Sequence, residues 1–292
     1  MDHRHVIGSV AAAWNVRDVA ARFSGTRSEV SWLLGPGVAA GLPDQPSDPL
    51  SVAFDDGGVY ILASALDHVF IDCGPVGLAG RGGHGHNDCL SFDAVLDGTH
   101  IAVDPGSYVY TASPEWRNRF RSTFSHNTPS VDGTEQATLD PSLMWSLGPE
   151  AAPEVREFDA DALRFVGAHR GYLRLASKVL VVRSFELDPT RHSLTVIDRF
   201  EGAGNHALAV PLQLAPGTSA VCAEPGRLIV RVDNRRFDVR WEPSDTWHVA
   251  IEQGWVSPSY GIKHEAPRLR WTRNGPLTGL RVELTPVDDE PR

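Results

Sequence analysis

The sequence is short of several things, and each shortage closes off a class of protein. It has three cysteines in 292 residues, Cys73, Cys89 and Cys222, an odd number without CxxC spacing. That argues against a disulfide framework and against a thiolate zinc site, and leaves them as packed thiols. No run approaches the roughly 20 apolar residues that a membrane-spanning helix needs. The apolar stretch at residues 6–14 is flanked by charge and too weak for a signal peptide. Basic residues are scarce: 27 Lys and Arg stand against 37 Asp and Glu, a formal charge of -10. A sequence-independent nucleic-acid binder depends on the opposite balance. There is no internal repeat of fixed period and no low-complexity tract, and residues 1–50 contain no tyrosine.

What is present describes a globular chain, 41% hydrophobic and 22% charged, with apolar material for one large core and an appendage. Residues 9–23 and 27–34 carry alanine and leucine at helical spacing without proline, which predicts two helices, the second short. Gly35-Pro36-Gly37 ends the second, and the proline- and aspartate-rich stretch 41–49 reads as a linker. Beyond it the period changes from helical to two. Segments 58–62, 68–72, 90–96, 100–104, 173–185, 193–200, 207–214, 228–232, 237–241 and 280–284 are β-branched or alternating, punctuated by Gly, Pro, Asn and Asp. No helical pattern of ten or more residues separates them, so parallel βαβ winding is disfavoured. The expected fold is mainly β: an antiparallel two-sheet β-sandwich over residues 51–292, preceded by a short helical segment and linker over residues 1–50.

The chemistry concentrates between residues 83 and 128, in Gly83-His84-Gly85-His86-Asn87-Asp88, Val103-Asp104-Pro105-Gly106 and Ser125-His126-Asn127-Thr128. On an extended strand His84 and His86 would share one face. One imidazole is then able to bind a metal while the other handles protons. His86, Asp104 and His126 supply three of the roughly four ligands that zinc takes, leaving a position open. The competing account of Gly-His-Gly-His, taken alone, is a flexible loop with solvated rings.

In order and spacing these blocks resemble a known family. Phe70-Ile71-Asp72-Cys73-Gly74-Pro75, His84-Gly85-His86-Asn87-Asp88-Cys89, Val103-Asp104-Pro105-Gly106-Ser107-Tyr108, Trp116-Arg117-Asn118-Arg119-Phe120-Arg121 and His126-Asn127-Thr128-Pro129 are similar to blocks of the heparinase II/III-like polysaccharide lyases. That family joins an N-terminal α/α toroid to a C-terminal antiparallel β-sandwich and cleaves acidic polysaccharides by β-elimination, working on extracellular or periplasmic material. The resemblance covers the sandwich half, with a remnant of the toroid ahead of it. It implies a zinc ion held by His86, Asp104 and His126 that orders the cleft loops, and a catalytic role for His84 beside the uronate carboxylate. Asp88 is placed as a group that orients a ligand imidazole, or as a turn aspartate.

β-Elimination removes the proton at C5 of a uronic acid and protonates the departing oxygen at C4, so it needs a base, an acid and a cationic clamp. Arg117, Arg119 and Arg121 alternate, so an extended segment would turn all three to one face. Guanidinium forks suit carboxylate or sulfate, which makes Arg121 and then Arg117 the expected substrate contacts. Tyr108 and Tyr110 either line the cleft or pack. His169 and Tyr172 echo another family block and read as structural. The family's toroid supplies a catalytic tyrosine, and residues 1–50 offer no counterpart. A separate toroid polypeptide or a homo-oligomer is therefore an expected partner alongside acidic polysaccharide. The alternatives are a non-catalytic module that binds acidic carbohydrate, and a purely structural sandwich.

Overall fold

The computed structural model describes residues 4–16, 26–42, 50–77, 84–144 and 146–287. The chain divides into two compact units, Met1–Pro49 and Leu50–Arg292.

In the first unit, helices α1 (Arg4–Ala13), α2 (Thr26–Leu34) and α3 (Pro36–Ala40) enclose a small core of Ala11, Ala12, Val30, Ala39 and Leu42. The Arg27 guanidinium ties α2 to the end of α3 through the carbonyls of Ala39 and Leu42, at 3.0 and 2.9 Å. The first helix begins earlier than its alanine spacing predicts, and the expected stretch 17–23 lies outside the described residues, as does 43–49 of the linker. Gly35-Pro36-Gly37 does end α2, with Gly35 at φ 94°, but Pro36 at once opens α3, because its fixed φ and missing N–H suit a first helical position. Trp14 and Trp32 are exposed on this unit, at 73% and 91%.

Among the described residues of the second unit, the regular elements are mainly strands, with one short helix and two 3-10 turns. In chain order its elements are β1 (Val52–Phe54), β2 (Val59–Ala63), β3 (His68–Asp72), β4 (Phe92–Leu96), β5 (Thr99–Ala102), α4 (Pro114–Phe120), β6 (Ser130–Val131), β7 (Pro153–Asp159), β8 (Arg164–His169) and β9 (Val179–Asp188). There follow β10 (Ser193–Gly202), β11 (Asn205–Gln213), β12 (Ser219–Glu224), β13 (Arg227–Val232), β14 (Arg235–Glu242), β15 (His248–Ser259), β16 (Ile262–Pro276) and β17 (Leu280–Val287). Strands β1 to β5 form a meander in sequence order; β12-β13-β14-β17-β10-β9-β8-β7 form an eight-stranded sheet; β15-β16-β11-β6 form a third. A bridge from Ala102 to Leu214 continues the meander into the third sheet.

Apolar faces of all three sheets meet in one core, as the ring contacts Tyr60–Phe165, Phe92–Phe185 and Trp241–Trp271 record at centroid separations of 4.8, 5.2 and 6.2 Å. This is an antiparallel sandwich of the expected class. The period-two rule is plain in β17, where Leu280, Val282 and Leu284 are buried and the residues between are not. The β4–β5 hairpin turns at Asp97-Gly98, both in the left-handed region that a tight hairpin demands. It is the exits from β3 and β5 that carry the chemistry: one leads into the loop ending at Cys89, the other into Val103–Tyr110.

Candidate metal centre and cleft

The two histidines of Gly-His-Gly-His are not on a strand. They lie in the loop before β4, and their rings go to different neighbours. His84 is exposed and sets its ring edge-on to Tyr110, centroids 5.2 Å apart. His86 turns inward against His126, centroids 5.1 Å apart, with the Ser107 hydroxyl 3.5 Å from its Nε2. The loop is pinned by Asn87, whose amide nitrogen donates to Glu135 Oε2 (2.8 Å) and to the Ala137 carbonyl (3.0 Å), and whose backbone N–H donates to the Arg121 carbonyl at 2.9 Å. Gly83 at the head of the motif lies outside the described residues.

Asp104 follows β5. Its Oδ2 lies 2.7 Å from Nδ1 of His126, and its Oδ1 accepts the Gly106 N–H at 2.7 Å. Gly106 is required here twice over: its φ is +77°, and a Cβ would stand 2.4 Å from the Ser257 carbonyl oxygen. His126 is completely buried at the end of a 3-10 turn. Behind it Asn127 closes the packing, donating to the carbonyls of Phe92 and Val103 (both 2.9 Å) and accepting the Gln213 N–H at 2.6 Å. His86, Asp88 and His126 each present a ligand atom, all within 4.8 Å of one another. Asp88 is thus closer to the imidazoles than its sequence reading as an orienting or turn aspartate requires, and Asp104 is already engaged with His126. A cavity of about 320 Å³ opens on this cluster, lined among others by Asp72, His84, His86, Asp88, Asp104 and Ser107.

Charge is crowded here. Burial, and then the neighbouring Asp88 carboxylate, push Asp72 well above the usual carboxylate range. Burial, and then Asp104, raise Asp93 to about 7. Burial would also raise Asp104, but the charge and hydrogen bond of His126 overcome it and hold Asp104 low. The same pair lifts His126 to about 9 against burial, while burial and the charge of His126 lower His86. One raised imidazole, His126, and one lowered imidazole, His86, thus share the site with the carboxyl groups of Asp72, Asp93 and Asp104. As a donor set, imidazole nitrogen with carboxylate oxygen fits zinc better than the softer thiolate-preferring metals.

The arginine expectation is corrected. Ser113-Pro114-Glu115 is a helix start, the Ser113 hydroxyl accepting the Trp116 N–H, so Arg117–Arg121 winds into α4 and its C-cap instead of running extended. Arg121 is buried and absent from the cavity lining: its guanidinium donates to the carbonyls of Asp140, Leu143, Met144 and Ser146 and to Asn118 Oδ1, at 3.1–3.2 Å. Arg117, also buried, donates to the carbonyls of Tyr110 and Pro141 and to Asn118 Oδ1. Both hold the loop that covers α4, and neither offers a free fork to substrate.

Sequence reasoning missed Arg183. Buried in β9, it grips Asp198 in two parallel bonds of 2.7 and 2.9 Å and donates to the carbonyls of Leu90 and Asn127, joining the eight-stranded sheet to both site loops. Its partners lie 15 to 93 residues away, and no local pattern announces them. Tyr108, at φ 56°, is the other feature that the sequence leaves unmarked. A non-glycine residue in that region is uncommon and clusters at functional sites.

The comparisons agree with this architecture. The sequence model of the family described as heparinase II/III-like, C-terminal, matches residues 46–278. Among solved structures, heparan sulfate lyase HepC from Pedobacter heparinus superposes with a TM-score of 0.72 at 18% identity, covering 100% of this chain and 43% of its own. A structure of heparinase III gives 0.69 at 14% identity, covering 94% and 42%. The chain thus spans less than half the length of these enzymes, and at such identities the likeness is one of fold. No curated protein matches in sequence. With the family match extending over most of its length and the blocks of Asp72, His86, Asp104 and His126 standing inside it, the chain belongs to the heparinase II/III-like C-terminal family.

Proposed function

We propose that the sandwich binds one zinc ion through His86, Asp104 and His126, with Asp88 in reach as a further donor, and that it forms part of a lyase cleaving uronic-acid-containing polysaccharide by β-elimination. The observation that carries this reading is the convergence of His86, Asp88 and His126, whose ligand atoms lie within 4.8 Å of one another, at a cavity that Asp72, Asp88 and Asp104 line. A bound metal would supply fixed positive charge and order the loops around residues 84–89 and 103–110. His84, exposed and lining the cavity, is in this reading the group that meets the carboxylate of a uronate or moves a proton at C5 or O4. His86 and His126 face inward and do not reach a substrate in the same way. The rest of the acid–base set comes in this reading from a helical toroid outside residues 50–292.

The test is metal content. Elemental analysis of the purified chain should find about one zinc per chain, lost in His86→Ala and His126→Ala and retained in His84→Ala, since tight binding needs about three protein ligands. His84→Ala should in turn abolish unsaturated product from a polyuronate once a toroid partner is supplied. Absence of metal from both wild type and His86→Ala would overturn the zinc assignment and favour a binding or structural sandwich.

A further inference from the structure

Outside the metal cavity the chain gathers a second set of groups suited to an anion. Lys263, which with Lys178 makes up the lysine content of this arginine-rich sequence, stands at the start of β16. Its ammonium lies 3.8 Å from the ring centroid of Trp116, 3.7 Å from that of Trp255 and 5.4 Å from that of Tyr108. The Arg119 guanidinium, exposed on α4, lies over the same Trp116 ring at 5.1 Å. Among the described residues neither cation has a carboxylate partner. Other arginines of the same region are committed: Arg268 and Arg270 share Glu252 at 2.8 and 3.2 Å, and Arg117 and Arg121 are consumed by carbonyls.

This cage is held at a fixed place relative to the metal cavity. Ser257 donates its N–H to the Pro105 carbonyl and Gly261 to the Tyr108 carbonyl, both at 2.8 Å, so the β15–β16 hairpin is stapled at two points to the loop carrying Asp104 and Ser107. The left-handed backbone at Tyr108 directs its ring to Trp116 and Phe120, at 5.8 and 5.5 Å. From there aromatic faces run toward the cavity mouth, Tyr260 against Tyr110 at 5.9 Å and Tyr110 against His84 at 5.2 Å.

An aromatic cage attracts an ammonium through the ring quadrupole without cancelling its charge. Two unneutralised cations on one indole therefore keep a local positive field on a chain whose formal charge is -10. Such a field is what an acidic chain requires to approach an acidic polymer. We propose that Lys263 and Arg119, mounted on Trp116 and Trp255, form a recognition site for an anionic sugar beside the metal cavity, pairing with its carboxylate or sulfate group while the exposed Tyr260 ring receives the C–H face of the sugar. The inference rests on the reading above that the ligand is an acidic glycan, and it names residues for the cationic clamp that Arg117 and Arg121 do not provide.

Calorimetric titration of the full chain, carrying its metal, with oligogalacturonate, with dextran sulfate oligomers and with neutral cellohexaose separates the possibilities. Lys263→Met and Arg119→Gln should each weaken the anionic probe about tenfold, the scale of one charge-assisted contact, and leave metal content and any binding of cellohexaose unchanged. The probe that is weakened tells carboxylate from sulfate. Arg119 is exposed, so Arg119→Gln carries the test alone if Lys263→Met unfolds the hairpin. Wild-type affinity in the double variant, with binding lost in His84→Ala, overturns the recognition site and leaves the lyase reading standing. Failure of the wild type to bind either anionic probe overturns both.

Discussion

Arg183 shows at the scale of one residue how the site is paid for in structure. Its guanidinium and the Asp198 carboxylate are each 1% exposed, and the same guanidinium holds the carbonyls of Leu90 and Asn127 that precede β4 and follow His126. Removing one member of such a pair leaves the other charge buried without compensation. Arg183→Ala should therefore lower the unfolding free energy by about 3–5 kcal/mol in denaturant titrations. His169 gives a pH signature. Burial, then the charges of Arg183 and Arg174, lower it from 6.5 to about 3 in the folded protein. Between those values the unfolded chain binds the proton and the folded chain does not, so stability rises with pH across the window and is lost as pH falls from about 6.5 toward 3. Denaturant midpoints measured at pH 7 and pH 4.5 should fall less in His169→Gln than in wild type; equal declines would remove His169 as the cause.

At the scale of elements, the decisive connection is the loop leaving β5. Gly106 carries both a left-handed φ and contact with the Ser257 carbonyl, so Gly106→Ala should strain the backbone by about 1–3 kcal/mol and push β15 away from Pro105. The expected result is a lower melting temperature together with weaker metal retention. Gly98→Ala is the control, since φ there is +69° but a Cβ meets nothing within 4 Å: its loss should appear in stability without a change in metal. The same scale explains what the sequence revealed. Strands β2, β3, β10, β13, β14 and β17 were legible because each is β-branched or alternating and is bounded by turn residues. β12 was not, being exposed along nearly its whole length, nor were β15 and β16, whose Pro, Glu, Gln and Arg residues give no clean period and whose pairing runs from β15 through β16 to the distant β11. Helix α4 was missed although Ser113-Pro114-Glu115 signals it, because alternating arginines imitate a strand. His86, Asp104 and His126 were readable as short motifs; the cage of Lys263, Trp116 and Trp255 was not, since it joins positions far apart in sequence.

At the scale of the whole molecule, the sandwich gathers carboxyl and imidazole groups where its two site loops converge, so the proposed zinc site predicts a stability that responds to metal. Any ion that binds the folded state and not the unfolded one stabilises by RT ln(1 + [L]/Kd), about 2.7 kcal/mol at a free concentration of 100 Kd. For a unit of this size that corresponds to a rise of roughly 5–10 °C in melting temperature. Zinc added to chelator-stripped protein at pH 7.5 should produce such a rise, and His86→Ala should not. The gain should shrink as pH falls from about 9, where His126 takes up its proton in the metal-free fold, because imidazole ligands must be deprotonated to bind and metal competes with protons for them. Magnesium, which prefers oxygen ligands and keeps its waters, should give little. A melting temperature indifferent to zinc across this range, in protein whose Asp104 and His126 are intact, would mean that their pair is a complete structural unit in itself, with the proton as its permanent occupant.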